Sequence, residues 1–154
     1  MQVILINGFS ITSNLIKWQT DGLYSHAGIL FSDGAIIESY PGDGVRAIYG
    51  YQFPYPKSTV EIYDFNVKVN EYSARQFAEQ QVGKKYDWPL IFRFLSRDQN
   101  TRTNNGKWFC SELAFVLALK GGVTLLERIQ PFKVDPVDIS LSTLLNFNRR
   151  FTIN

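Results

Sequence analysis

The apolar period of this chain changes from 2 to 3.6 at about Asn70, and that change limits the folds open to it. Up to residue 65 the chain is mostly short runs of β-forming residues separated by turn chemistry. Met1 to Gly8 carries the apolar run Val-Ile-Leu-Ile and reads as a buried strand. Residues 13–20 offer a Ser cap and helical spacing, stopped by Asp21-Gly22, and read as a short helix. Residues 23–31 and 35–40 flank Ser32-Asp33-Gly34 and read as a β-hairpin. A short strand is expected at 45–49 and another at 58–65, with Val60 and Ile62 alternating against Glu61 and Tyr63. Between them the run Tyr49, Tyr51, Phe53 and Tyr55 reads as a loop pinned by its rings rather than as a substrate-facing one.

From Asn70, a good N-cap, residues 71–82 read as a helix that stops at Gly83. Tyr86-Asp87-Trp88-Pro89 opens a further helical segment with an apolar stripe at Leu90, Ile91, Phe94 and Leu95, Asp87 acting as its cap. A polar loop, residues 96–107, leads to a strongly apolar helix beginning at Cys110 and ended by Gly121-Gly122. The tail reads as turns around 131–136, a short helical or turn segment over 137–145, and a last strand at 150–153. The expected architecture is α+β: an antiparallel β-sheet or partial barrel packed against helices, forming a single domain over residues 1–154. No internal repeat or low-complexity segment interrupts it.

Composition narrows the chemistry. Sixteen basic against fourteen acidic residues give a net charge of +2, with no basic cluster to suggest a nucleic-acid partner. One cysteine excludes an internal disulfide and a Cys-based zinc site, and one histidine excludes a His-rich metal site. No cofactor or metal is expected. No apolar stretch approaches the roughly 20 residues needed to cross a bilayer, and the first residues do not read as a signal peptide. A cytoplasmic protein without an integral membrane segment is expected.

The two unique residues are of complementary type. Cys110 falls in the first turn of a helix, where unpaired N–H groups and the helix dipole favour a thiolate. The backbone N–H of Cys110 is then the first choice as oxyanion donor, with Tyr86 and Tyr24 as further hydroxyls for the cleft. His26 is the only side chain whose ordinary pKa lies near neutrality. Hairpin register decides the third member. If Ser32-Asp33-Gly34 is a three-residue loop with Phe31 opposite Ala35, then His26 faces Tyr40 and Glu38 is its diagonal neighbour on the same face, placed to accept Nδ1–H and turn Nε2 to the sulfur. With a two-residue Asp33-Gly34 turn, Glu38 points away. Glu112 reads as a cap of the Cys110 helix, and Ser111 is an unlikely nucleophile beside a thiol.

These segments resemble a known family. Tyr24-Ser25-His26-Ala27-Gly28-Ile29, Ile36-Ile37-Glu38 and Gly44-Val45-Arg46, followed by Gly83-Lys84-Lys85-Tyr86-Asp87 and Trp108-Phe109-Cys110-Ser111-Glu112-Leu113, are similar in order and spacing to the YiiX-like permuted cysteine hydrolases of the NlpC-type, papain-like group. Asp135-Pro136-Val137-Asp138-Ile139 is similar to an element near their end. The order His, acidic residue, Cys is the permuted one. The resemblance implies a circularly permuted papain-like (NlpC-type) fold with Cys110 as nucleophile, His26 as base and Glu38 as the residue orienting it. It also implies cleavage of an amide bond in a peptide, cell-wall or acyl-amide substrate. Acyltransferases and lipid-amide or ester hydrolases are further activities of the same fold, and a non-catalytic binding module is the remaining reading. One departure is Trp108-Phe109, where a Tyr often precedes the Cys.

Overall fold

The computed structural model describes residues 1–9, 13, 14, 16, 17, 21–89 and 106–154. Its frame is one six-stranded antiparallel sheet in the order β4-β3-β2-β1-β5-β6. Strand β1 (Gln2–Asn7) lies inside it, between β2 (His26–Leu30) and β5 (Ser58–Phe65). That position explains its unbroken apolar run, because Val3 and Leu5 enter one core and Ile4 and Ile6 another. Strands β3 (Ile36–Tyr40) and β4 (Gly44–Ile48) extend the sheet on one side, and β6 (Leu145–Ile153) closes the other.

The β2–β3 hairpin has the three-residue loop. Ile29 faces Ile37, Leu30 faces Ile36, and Phe31 N donates to Ala35 O at 2.8 Å. Gly34 takes the positive φ of 81° that closes the turn, and Asp33 Oδ1 accepts from Ala35 N. Strand β6 starts at Leu145, well before the expected 150. Residues 146–150 are all exposed along this edge strand, so the sequence lacks the buried alternation that marks a strand.

Three helices complete the described fold: α1 (Glu71–Gln81), α2 (Cys110–Lys120) and α3 (Pro136–Ser140). Asn70 caps α1 by accepting from Ser73 N at 3.1 Å. Helix α2 is apolar on nearly every side and is correspondingly buried. Leu113 and Leu117 join Ala27, Ile29 and Ile37 of the sheet in the main core. Ala114 and Ala118 share that core with Ala74 and Ala78 of α1, small side chains that let the two helices approach closely. The other sheet face forms a second core around Ile4, Ile36, Val60 and Ile62, closed by Tyr55 and Phe53 from the loop after β4. Phe53 meets Phe151 of β6 at 5.0 Å, linking the two sides of the sheet. Ser13, Asn14, Ile16 and Lys17 are helical. The rest of that expected helix, the stripe from Leu90 to Leu95 and most of the 96–107 loop lie outside the described residues.

Candidate active site

Residue 26 opens β2 and residue 38 lies inside β3, and the hairpin register brings their side chains together. His26 Nε2 lies 2.6 Å from Glu38 Oε2, with both groups buried. Gly28 makes room for the pair, since a Cβ there would stand 3.2 Å from Glu38 Cβ. The ring is turned opposite to the sequence expectation. Nε2 rather than Nδ1 meets Glu38, which leaves Nδ1 as the nitrogen available to Cys110. Register fixes which side chains are neighbours but not which edge of an imidazole faces which, so this was beyond parity reasoning.

Cys110 is the first residue of α2, and its thiol neighbours the His26 imidazole closely enough to raise the ring's pKa. Its N–H, in the first turn, has no partner within the helix. Phe109, extended at φ −86° and ψ 156°, turns the chain into the helix, and its N–H donates to Glu112 Oε2 at 3.5 Å. Ser111 donates to Val134 O at 2.6 Å and is fully committed to packing. The sulfur has 0% exposure and lies among Ile16, Tyr86 and Phe109.

The electrostatics follow from burial working against pairing. Burial is the strongest single influence on the His26 imidazolium and disfavours it, but the charge and hydrogen bond of Glu38 and the neighbouring Cys110 thiol together outweigh it; the pKa rises from 6.5 to about 10. Burial also penalises the Glu38 carboxylate. His26, the Tyr55 hydroxyl and Arg46 overcome that and hold Glu38 below its ordinary value.

Tyr86 reaches the site from the segment before Cys110. It forms a parallel bridge with Trp108, and its ring packs on Phe109 at 5.8 Å. Its hydroxyl is buried and meets the Cys110 thiol at a geometry short of a well-formed hydrogen bond, with no other partner among the described residues. Burial, then the neighbouring Cys110 and Asp87, push its pKa well above the ordinary value, so it stays a donor.

Tyr24 does not join the site. It lies in the main core, and its hydroxyl donates to Glu61 Oε2 at 2.6 Å and meets the Tyr63 hydroxyl at 3.0 Å. Two residues missed by sequence reasoning touch Glu38 instead. Tyr55 donates to Oε2 at 2.5 Å, and Arg46 holds Oε1 with Nε at 2.8 Å. Arg46 was signalled by its position directly opposite Glu38 in the β3–β4 register. Tyr55, buried in a loop where Tyr49 and Tyr51 are exposed, had no such signal. Beside His26 opens a cavity of about 290 Å³ whose walls include Phe9, Tyr40, Tyr55 and Pro56.

This geometry can be set against known proteins. No protein-family model matches the sequence, and no curated protein sequence matches it. Among solved structures the chain is similar to the crystal structure of metalloprotein YiiX from Escherichia coli O157:H7, with a TM-score of 0.69 over 98% of this chain and 96% of that one, at 15% identity. The chain has the YiiX-like fold. YiiX is described as a metalloprotein, but the donors at this site do not fit a metal centre. Both Glu38 oxygens are engaged by His26, Tyr55 and Arg46, and the described residues hold no group of three or more His, Cys, Asp or Glu able to bind an ion. No described helix is long and apolar enough to cross a membrane.

Proposed function

We propose that the chain is a thiol-dependent hydrolase that cleaves an amide bond through Cys110, His26 and Glu38, on a circularly permuted papain-like fold. The observation that carries this reading is the buried His26–Glu38 pair at 2.6 Å, whose imidazole also meets the chain's only thiol at a helix start. Glu38 stabilises the imidazolium against burial, which suits His26 to the role of base for the thiol.

In the proposed reaction His26 accepts the thiol proton through Nδ1, and Glu38 stabilises the imidazolium through Nε2–H. The sulfur attacks the carbonyl carbon, and the C=O electron pair moves to oxygen. That oxyanion meets the Cys110 N–H and the Tyr86 hydroxyl. Collapse expels the amine, which takes the proton from His26, and leaves an acyl-enzyme. Water then attacks the thioester with His26 as base, releasing the acid and restoring the thiol.

A second reading, an acyltransferase or a lipid-amide or ester hydrolase, draws support from the cavity beside His26, whose Phe9, Tyr40, Tyr55 and Pro56 walls suit an apolar acyl group. Labelling with a panel of electrophilic acyl probes, peptidyl against fatty-acyl, separates the two readings by which probe is taken up. Wild type labelled and Cys110→Ala unlabelled is the expected result. Equal labelling of both proteins rules out a Cys110 nucleophile.

A further inference from the structure

The Glu38 carboxylate is held at more points than orienting one imidazole requires. Oε2 accepts from His26 Nε2 and from the Tyr55 hydroxyl, at 2.6 and 2.5 Å. Oε1 faces Arg46, with Nε at 2.8 Å and Nη2 at 2.7 Å. An arginine facing a carboxylate ordinarily closes two parallel bonds, one to each oxygen. Arg46 stands directly opposite Glu38 and is placed to do so. Both of its nitrogens converge on Oε1 instead, and Nη2 is left without a well-angled acceptor among the described residues. The fork is given up because Oε2 is already filled. Arg46 is itself fixed, lying 3.9 Å over the Tyr40 ring and paired with Asp43.

We propose that Arg46 and Tyr55 are positioning residues that clamp one oxygen each of the Glu38 carboxylate, so that Oε2 stays aimed at His26 Nε2 and the other ring nitrogen stays turned to Cys110. This rests on the Cys110–His26–Glu38 site proposed above. Neither residue is assigned a contact with the reacting sulfur. Tyr55 also lines the cavity beside His26, so the loop that bounds the cavity is tied to the carboxylate behind the imidazole.

A clamp and a plain charge act in opposite directions. The positive charge of Arg46, taken alone, disfavours the imidazolium, and removing it raises the His26 pKa. A clamp favours the imidazolium, and loosening it lowers that pKa. Arg46→Lys keeps the charge and loses the Nε and Nη2 contacts on Oε1, and Tyr55→Phe removes one donor with little change of shape.

Because His26 is the only histidine, its ring signals can be titrated by NMR without ambiguity. The groups facing it are Glu38 from β3, Cys110 from α2, and the Tyr40 and Tyr55 rings at 5.4 and 6.0 Å. The titration is therefore run both in wild type and in a Cys110→Ala background. The clamp predicts that Arg46→Lys and Tyr55→Phe each lower the His26 midpoint by roughly one unit while the amide spectrum stays folded. An unchanged or raised midpoint in both folded variants overturns it. Should one variant fail to fold, the other decides. The titration needs no substrate, so it is independent of the proposed activity: absent Cys110-dependent acyl labelling with a lowered midpoint removes the hydrolase and leaves the clamp. Labelling with an unmoved midpoint does the reverse.

Discussion

The Ser39 hydroxyl donates to the carbonyl of Trp108 at 2.7 Å, joining the strand that carries Glu38 to the peptide two residues before Cys110. The same carbonyl accepts from Asp87 N at 3.0 Å, one residue after Tyr86. Three segments that supply the carboxylate, the thiol and the tyrosine hydroxyl therefore meet at one buried oxygen. Ser39→Ala removes one of its two donors, and a loss of about 1–3 kcal/mol in stability is expected from a buried bond of this kind. Urea unfolding measures it. A variant as stable as wild type means that the bond does not hold the two parts of the site together.

Stability should depend on pH with opposite slopes on either side of a plateau. Glu38 is held below its ordinary value of 4.5 despite burial, by His26, Tyr55 and Arg46. A lowered carboxyl contributes stability that is present above its unfolded pKa and lost as pH falls through the folded one. His26 is raised from 6.5 to about 10, because Glu38 and Cys110 together overcome the burial that opposes its charge. Its contribution is complete below 6.5 and is lost as pH rises through about 10. The pair is thus worth most between about 4.5 and 6.5, and on the order of a few kcal/mol should disappear by pH 10. Glu38→Gln should flatten both slopes. A wild-type urea midpoint that stays level from pH 6.5 to 10 contradicts the pairing.

Much of this arrangement can be traced in the sequence, because local rules govern it. The Ser32-Asp33-Gly34 loop sets the register that unites His26 and Glu38, Asn70 caps α1, and the polar-to-apolar switch before Cys110 starts α2. What escaped depends on long-range packing. The face of the imidazole that meets Glu38 is set by side chains from other elements. Tyr24 was drawn away by Glu61, a carboxylate 37 residues further on. Glu61 also binds Arg150, its directly opposite neighbour on the edge strand β6. Glu38 and Arg46 repeat that relationship at the other edge. Cross-strand Glu–Arg pairs, each with a buried Glu, thus fasten both outer strands, a pattern visible only once the strands are paired.

Tyr86→Phe separates catalysis from stability. The hydroxyl has no well-formed partner, so its removal should leave the melting temperature unchanged or slightly higher. As an oxyanion donor it should be worth roughly a hundredfold or more in kcat with little change in KM. Kinetics on whichever acyl probe Cys110 accepts provide the check. Unchanged turnover would assign Tyr86 to packing alone.

Access to the sulfur is a separate matter from its chemistry. Ile16 packs with Tyr86 and Phe109 around a thiol that has no exposed surface. Ile16→Ala should therefore speed modification of native Cys110 by a small alkylating reagent several-fold, at a cost of about 2–5 kcal/mol in stability. Leu113→Ala, a comparable truncation deep in the main core, serves as the control for general loosening. Equal acceleration in both variants would mean that Ile16 does not cover the site.

The most direct test of the His26–Cys110 pairing is the rate at which iodoacetamide alkylates Cys110, the only cysteine in the chain, across pH in wild type and in folded His26→Ala. Pairing predicts that at pH 6 wild type reacts at least about tenfold faster than His26→Ala, whose rate should rise only as an ordinary thiol near 8.5 ionises. Two superimposable pH–rate curves would show that His26 does not activate the sulfur, and would contradict the account.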